Sequence, residues 1–99
     1  MRIIAKGTLK DFWNVNDYRD SEQPLKSWYQ EVKRANWNNH NEVKAQYINA
    51  SILRYGRVVF NVAGNKYRLV AWINYKLKIV YIRFIGTHAK YDKIDAEKI

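Results

Sequence analysis

Apolar residues recur at helical spacing through the first part of the chain and at the two-residue period of strands from residue 57 onward. Residues 2–5, RIIA, read as a short strand, after which Thr8 can cap a helix carrying Leu9, Phe12 and Trp13 on one face. Residues 17–23 are polar and carry no periodic signal, but Ser21 can cap a second helix. Pro24 is tolerated in its first turn, and Leu25, Trp28, Tyr29 and Val32 form a stripe running to about residue 35. The run NWNNHN over residues 36–41 is rich in side chains that compete with the backbone for hydrogen bonds and reads as a loop. A short third helix over residues 41–47 follows, with Val43 and Tyr47 on one side.

Three strands come next: RVVFNV, KYRLVAWINY and KIVYIRFIG, separated by Ala63-Gly64-Asn65 and by Lys76-Leu77. They form an antiparallel meander. With the second turn centred on Lys76 and Leu77, Val70 is expected opposite Arg83 and Trp72 opposite Tyr81. One face of this hairpin then carries Leu69, Ala71, Ile73, Val80, Ile82 and Phe84, which must be packed by helices. The other carries Arg68, Trp72, Tyr81 and Arg83 and is the candidate working surface. Gly86 ends the third strand, and Thr87 can cap a last short helix, HAKYDKIDAEK, on which His88, Tyr91 and Asp92 share a side. The expected architecture is α+β: a small antiparallel sheet packed on one face by two to three N-terminal helices, with a short C-terminal helix.

Ninety-nine residues imply one domain, spanning residues 1–99. Eighteen Lys and Arg against nine Asp and Glu give a formal charge of +9, which favours a polyanionic partner, nucleic acid before an acidic protein. With no cysteine, disulfides, thiolate nucleophiles and cysteine-ligated zinc are excluded. No window approaches the roughly 18 apolar residues of a membrane span, so a soluble cytoplasmic protein with no membrane partner is expected.

Cleavage of RNA without metal requires a base for the ribose 2′-hydroxyl, cations for the charge that develops on the phosphate oxygens, and an acid for the leaving oxygen. Arg68 and Arg83 offer guanidinium forks suited to a phosphate, although both could equally serve only to position an RNA backbone. His88, with Asp92 and Tyr91 on its helical side, can act as base or acid, or else simply cover the end of the sheet. Tyr91 can donate a proton, stack on a base, or pack. Lys66, two residues before Arg68, is placed for a phosphate contact; Lys26, Lys33 and Arg34 form either a solvated helical face or a track for a nucleic-acid strand. His40 lies in the asparagine-rich loop, and Trp37, Trp72, Tyr55 and Tyr81 are stacking surfaces that cannot be assigned individually.

The phrases VVFNVAGNKYRLV, INY and VYIRFIGTHAKYDKID, with RIIAKGTLKDFW, EQPLKSWYQEVKRANW, EVKAQY and ASIL upstream, resemble the HigB family of bacterial toxins within the RelE-like group of ribosome-dependent messenger-RNA endonucleases. The resemblance covers nearly the whole chain. It implies a type II toxin that cuts mRNA on the ribosome without metal or other cofactor. It also implies restraint by a HigA-like helix-turn-helix antitoxin, through which alone the pair would reach operator DNA. Carried across by position, the family's basic strand residues fall on Lys66, Arg68 and Arg83, and its C-terminal motif on His88, Tyr91 and Asp92. In that reading Arg83 and Arg68 stabilise the phosphate, His88 is the general base or acid, Tyr91 orients or stacks, and Asp92 partners His88. Two rivals remain at this stage: a non-catalytic RNA- or ribosome-binding module, and a protein whose only partner is another protein.

Overall fold

The computed structural model describes all 99 residues. Their order is β1 (Arg2–Ile4), α1 (Lys6–Trp13), a 3₁₀ turn (Asn16–Ser21), α2 (Glu22–Arg34), α3 (His40–Gln46), β2 (Ser51–Ile52), β3 (Arg57–Val62), β4 (Tyr67–Asn74), β5 (Ile79–Thr87) and α4 (His88–Tyr91). The strands form one sheet in the order β1-β5-β4-β3-β2. All neighbours are antiparallel except β1, which the chain leaves through the helices before entering the meander, so that β1 lies parallel to β5. The sheet is therefore mixed, with an α+β architecture.

The helices begin where backbone donors find partners, which is not always where a capping residue stands. Helix α1 starts at Lys6 behind Ala5, ahead of the expected Thr8, and without a side-chain cap. Ser21 does stand at the N-cap of α2, but its buried hydroxyl donates to the carbonyl of Tyr18 (2.6 Å) and so closes the 3₁₀ turn. That turn occupies a stretch with no periodic signal in the sequence. Asn39 caps α3 by accepting from the Glu42 N–H (3.1 Å), and Thr87 caps α4 by accepting from the Lys90 N–H (3.2 Å). The two-residue strand β2 is too short to show a period and was not expected.

Leu9, Leu25, Trp28 and Val32 project from α1 and α2 onto Phe60, Leu69, Ala71 and Val80 of the sheet, and all are buried. This is the apolar face foreseen for the hairpin, with one displacement. The β4–β5 pairing runs as expected from Asn74 opposite Ile79 through Trp72 opposite Tyr81 to Ala71 opposite Ile82. At that point the register shifts by a residue, and Val70 faces Phe84 instead of Arg83. Arg83 is thus the extra residue of a β-bulge. Two consecutive residues then share a face: alternation from Ile82 puts Arg83 on the outer side of the sheet, and the inserted residue keeps Phe84 there as well. Phe84 accordingly packs with Val59 and Val70 on the outer face, while Ile85 takes its place on the helix side.

The outer face is also partly covered. Helix α4 stops at Tyr91, well short of the eleven-residue helix HAKYDKIDAEK read from the sequence. The segment beyond it crosses the sheet and lays Ile94, Ala96 and Ile99 on Val59 and Val70. Arg57 fixes the segment by donating from Nε and Nη2 to the Ile99 backbone oxygen (3.1 and 2.6 Å), and the Arg54 N–H donates to Glu97 (3.0 Å).

On the helix side, the Phe12 and Tyr18 rings stack at 4.5 Å, and both meet the Tyr67 ring edge-on. The Tyr67 hydroxyl donates to Asp20 (2.5 Å), whose second oxygen pairs with Lys66. The bonds from Lys66 and Tyr67 hold the Asp20 carboxyl below the usual carboxylate range, and Asp20 in turn holds the Lys66 ammonium above its ordinary value.

Gly56 takes φ +74°, and a Cβ there would lie 3.0 Å from the Trp72 ring. Gly56→Ala should therefore lower stability by about 1–2 kcal/mol, read as a lower urea midpoint at unchanged slope. A carboxyl depressed by folding stabilises above its unfolded pKa, and an ammonium raised by folding stabilises below its own. Asp20→Asn should therefore lower the melting temperature between roughly pH 5 and 9, and the gap to wild type should begin to close as pH falls below about 4 and vanish only once pH has passed the lower value that folding imposes on the carboxyl. A gap that does not narrow at all between about pH 5 and pH 2 would mean the ion pair is not its source.

Candidate functional site

The end of the sheet where β5 passes into α4 gathers most of the candidate residues. Thr87, paired with Tyr67, both ends the strand and caps the helix, so His88 emerges directly from the sheet's edge. Its Nδ1 lies 3.5 Å from Asp92 Oδ2, one helical turn on, and both side chains are more than half exposed. The Tyr91 ring lies 6.5 Å from that of His88 and 6.5 Å from that of Phe84, joining the histidine to the apolar patch of the outer face.

Arg68 enters from the neighbouring strand, opposite Gly86. Its Nη1 donates to the carbonyls of Asn65 (3.0 Å) and Tyr67 (3.3 Å), which folds the guanidinium back on the β3–β4 turn. Gly86 is needed where it stands: a Cβ there would sit 2.6 Å from Phe84 Cζ, so the ring occupies the space a side chain would take. Arg83, carried outward by the bulge, is exposed and makes neither a hydrogen bond nor an ion pair within the chain. From the bulge to the start of α4 the outer face thus carries one free guanidinium, a second held only by backbone carbonyls, and an imidazole beside a carboxylate. These are the groups needed to hold a phosphodiester and move protons around it.

The remaining basic candidates lie elsewhere. Lys66 does not extend beside Arg68; its ammonium turns past the Tyr67 ring to Asp20, toward the 3₁₀ turn. Lys26 pairs with Glu22 (2.5 Å) and lies over the Trp13 ring (5.5 Å), while Lys33 and Arg34 are exposed at the end of α2. Because α2 packs on the other side of the sheet, these three form a separate basic surface on the helical layer. His40 opens α3, exposed and apart from the group. A hollow of about 420 Å³ lies between the α3–β2 connection and β3, lined by Tyr47, Ile48, Phe60 and Asn61, and none of the candidate residues reaches it.

Sequence reasoning missed Phe84 as part of the site, since a bulge leaves no periodic trace that would have moved it across the sheet. It named Trp72 and Tyr81 without assigning them. Their rings stack at 4.8 Å, and the Arg57 guanidinium lies 5.8 Å from the Trp72 centroid. The cross-strand register alone contained that pairing.

Residues 21–94 match the family model described as HigB toxin, RelE-like toxic component of a toxin-antitoxin system. The chain is 28% identical over 96 residues to the protein named mRNA interferase HigB from Escherichia coli O6:H1, covering 95% of this chain and 91% of that protein. It is 28% identical over 94 residues to the mRNA interferase toxin HigB of Escherichia coli K12 and to the mRNA interferase HigB of Shigella flexneri, covering 93% of this chain and 88% of each relative. The match to the family model takes in the whole β3–β5 meander, the α4 motif and α2, and the chain belongs to the HigB toxin family.

Proposed function

We propose that the chain is the messenger-cutting toxin of a type II toxin–antitoxin pair, acting on mRNA at the ribosome with the outer-face group at the β5–α4 junction as its active centre. The observation that carries this reading is the placement of His88, Tyr91 and Asp92 at the end of the strand pair that bears Arg68 and Arg83. The relatives' names, which describe mRNA interferases, and the charge of +9 support it.

The chemistry follows from the residues. A base removes the proton of a ribose 2′-hydroxyl, the 2′-oxygen attacks the adjacent phosphorus, and the bond to the 5′-oxygen breaks as that oxygen takes a proton. The products are a 2′,3′-cyclic phosphate and a free 5′-hydroxyl. Arg83 and Arg68 stabilise the negative charge spread over the phosphoryl oxygens, with Arg68 released from its carbonyl partners to do so. His88 carries a proton on or off the reacting oxygens, Asp92 orients its ring, and Tyr91 holds the nucleotide against the site. Lys33 and Arg34, on the helical side of the sheet, and Lys26 and Lys66, paired with Glu22 and Asp20, add to the positive field that draws RNA to the protein without touching the strand held at the junction. No metal takes part in this sequence of steps.

The free protein acts in the cytoplasm, where translating ribosomes are, and no helix is long and apolar enough to cross a membrane. A HigA-like helix-turn-helix antitoxin neutralises it and provides the contact with operator DNA.

Arg83→Ala should keep the circular dichroism and melting curve of the wild type, because the side chain has no partner, while cleavage of messenger on ribosomes falls by roughly 10²-fold or more. A folded, fully active Arg83→Ala would remove the residue from the centre. Replacing the ribose 5′ to the cut by 2′-deoxyribose should abolish cleavage, and a chelator should leave it unchanged. Transcripts that stay whole while translation stops would instead identify a non-catalytic ribosome-binding module.

A further inference from the structure

On the outer face, away from the β5–α4 junction, four side chains form one row across the sheet. Arg57 of β3 is paired with Trp72 of β4, Trp72 with Tyr81 of β5, and Tyr81 with Ile4 of β1. Within the row the guanidinium lies over the indole (5.8 Å), and the phenol stacks on it (4.8 Å between centroids, planes 21° apart). The stack is closed at the Arg57 end, where the guanidinium is fixed by the oxygens of Ile99 and Tyr55. At the Tyr81 end the neighbour across the sheet is Ile4, the phenol is only partly buried, and no further ring or cation lies over it.

Two observations set this pair apart from the other aromatic groups. Neither ring belongs to the helix-side core or to the cluster beneath the C-terminal segment, so the pair lies outside both apolar clusters. In addition, the residue two positions along β5 from Tyr81 is Arg83, the unpaired cation that the bulge turns to the same face. A strand places those two positions roughly 7 Å apart, a step that one nucleotide can span between its base and its phosphate.

We propose that Tyr81, backed by Trp72 and Arg57, is the stacking platform for a nucleobase of single-stranded RNA whose phosphate lies at Arg83. This rests on the reading of the Arg83 region as the cleavage centre and specifies how the substrate is held there. The base stacks on the part of the phenol left exposed beside Ile4, and so adds to the existing cation–indole–phenol ladder. Stacking on a phenol accepts any base, so the platform orients the RNA and contributes affinity without selecting a sequence.

The test is binding, which needs no cleavage. Wild type, Tyr81→Leu and Tyr81→Phe are titrated into a fluorescein-labelled pentauridylate and into the same oligonucleotide made abasic at one position at a time, with circular dichroism as the check on folding. Wild type is expected to bind, and Tyr81→Leu to bind the intact oligonucleotide roughly 5- to 100-fold more weakly. Tyr81→Phe, which keeps the ring, is expected to match wild type. One abasic position should remove the difference between wild type and Tyr81→Leu. The proposal is overturned if Tyr81→Leu matches wild type, if it weakens the intact and every abasic oligonucleotide equally, or if wild type shows no base-dependent binding. Should transcripts stay whole while translation stops, the nuclease reading would fail on its own evidence, while the platform would still be judged by these affinities.

Discussion

One inserted residue in β5 determines what the outer face of this protein can do. Up to Ile82 the hairpin alternates as a regular antiparallel pair, and without the insertion Phe84 would join the helix-side core. With it, Arg83 and Phe84 both turn outward, and the strand beyond is re-phased so that Ile85 enters the core and Gly86 comes to lie opposite Arg68. The space left open by Gly86 then receives the Phe84 ring, which reaches Tyr91, and Tyr91 stands beside His88. A cation at the bulge, an aromatic ring beneath Gly86 and the imidazole that starts α4 thereby come to lie along the outer side of one strand and its helical continuation.

The rest of the fold keeps that arrangement in place while leaving it open. Helices α1 and α2 bury the inner face so fully that the sheet cannot slip in register without exposing Leu69 or Val80 to water. On the outer face only the half near β3 is covered, by the segment ending at Ile99, which Arg57 and the Arg54 N–H hold down. Charge is distributed in the same spirit. Lys66 and Lys26 are engaged by Asp20 and Glu22, whereas Arg83 has no partner within the chain. Of the candidate cations on the outer face, the one most available to an incoming phosphate is therefore the one aimed by the bulge.

Much of this was legible in the sequence, for identifiable reasons. The stripes of α1 and α2, the three long strands, the turn at Lys76 and Leu77, the Trp72–Tyr81 pairing and the Thr87 cap all follow from period and turn chemistry, which are local properties. The features that were not legible depend on contacts distant in sequence. The bulge leaves no mark in the alternation of IVYIRFIGT, the 3₁₀ turn rests on Ser21 bonding to Tyr18 and on Asp20 meeting Tyr67, and the course of the chain after Tyr91 depends on Arg57. The spacing of Lys66 and Arg68 suggested a shared direction, but Asp20, 46 residues away from Lys66, decides otherwise.

Nuclear magnetic resonance titration with an oligoribonucleotide blocked by 2′-O-methyl groups addresses the central claim most directly, because it reports where an uncleavable strand rests on the protein. The account predicts that the largest amide shifts fall on Arg83 through His88, with the imidazole resonances of His88 moving alongside them. Shifts concentrated on Lys26, Lys33 and Arg34 of α2, with the β5–α4 junction unchanged, would contradict it.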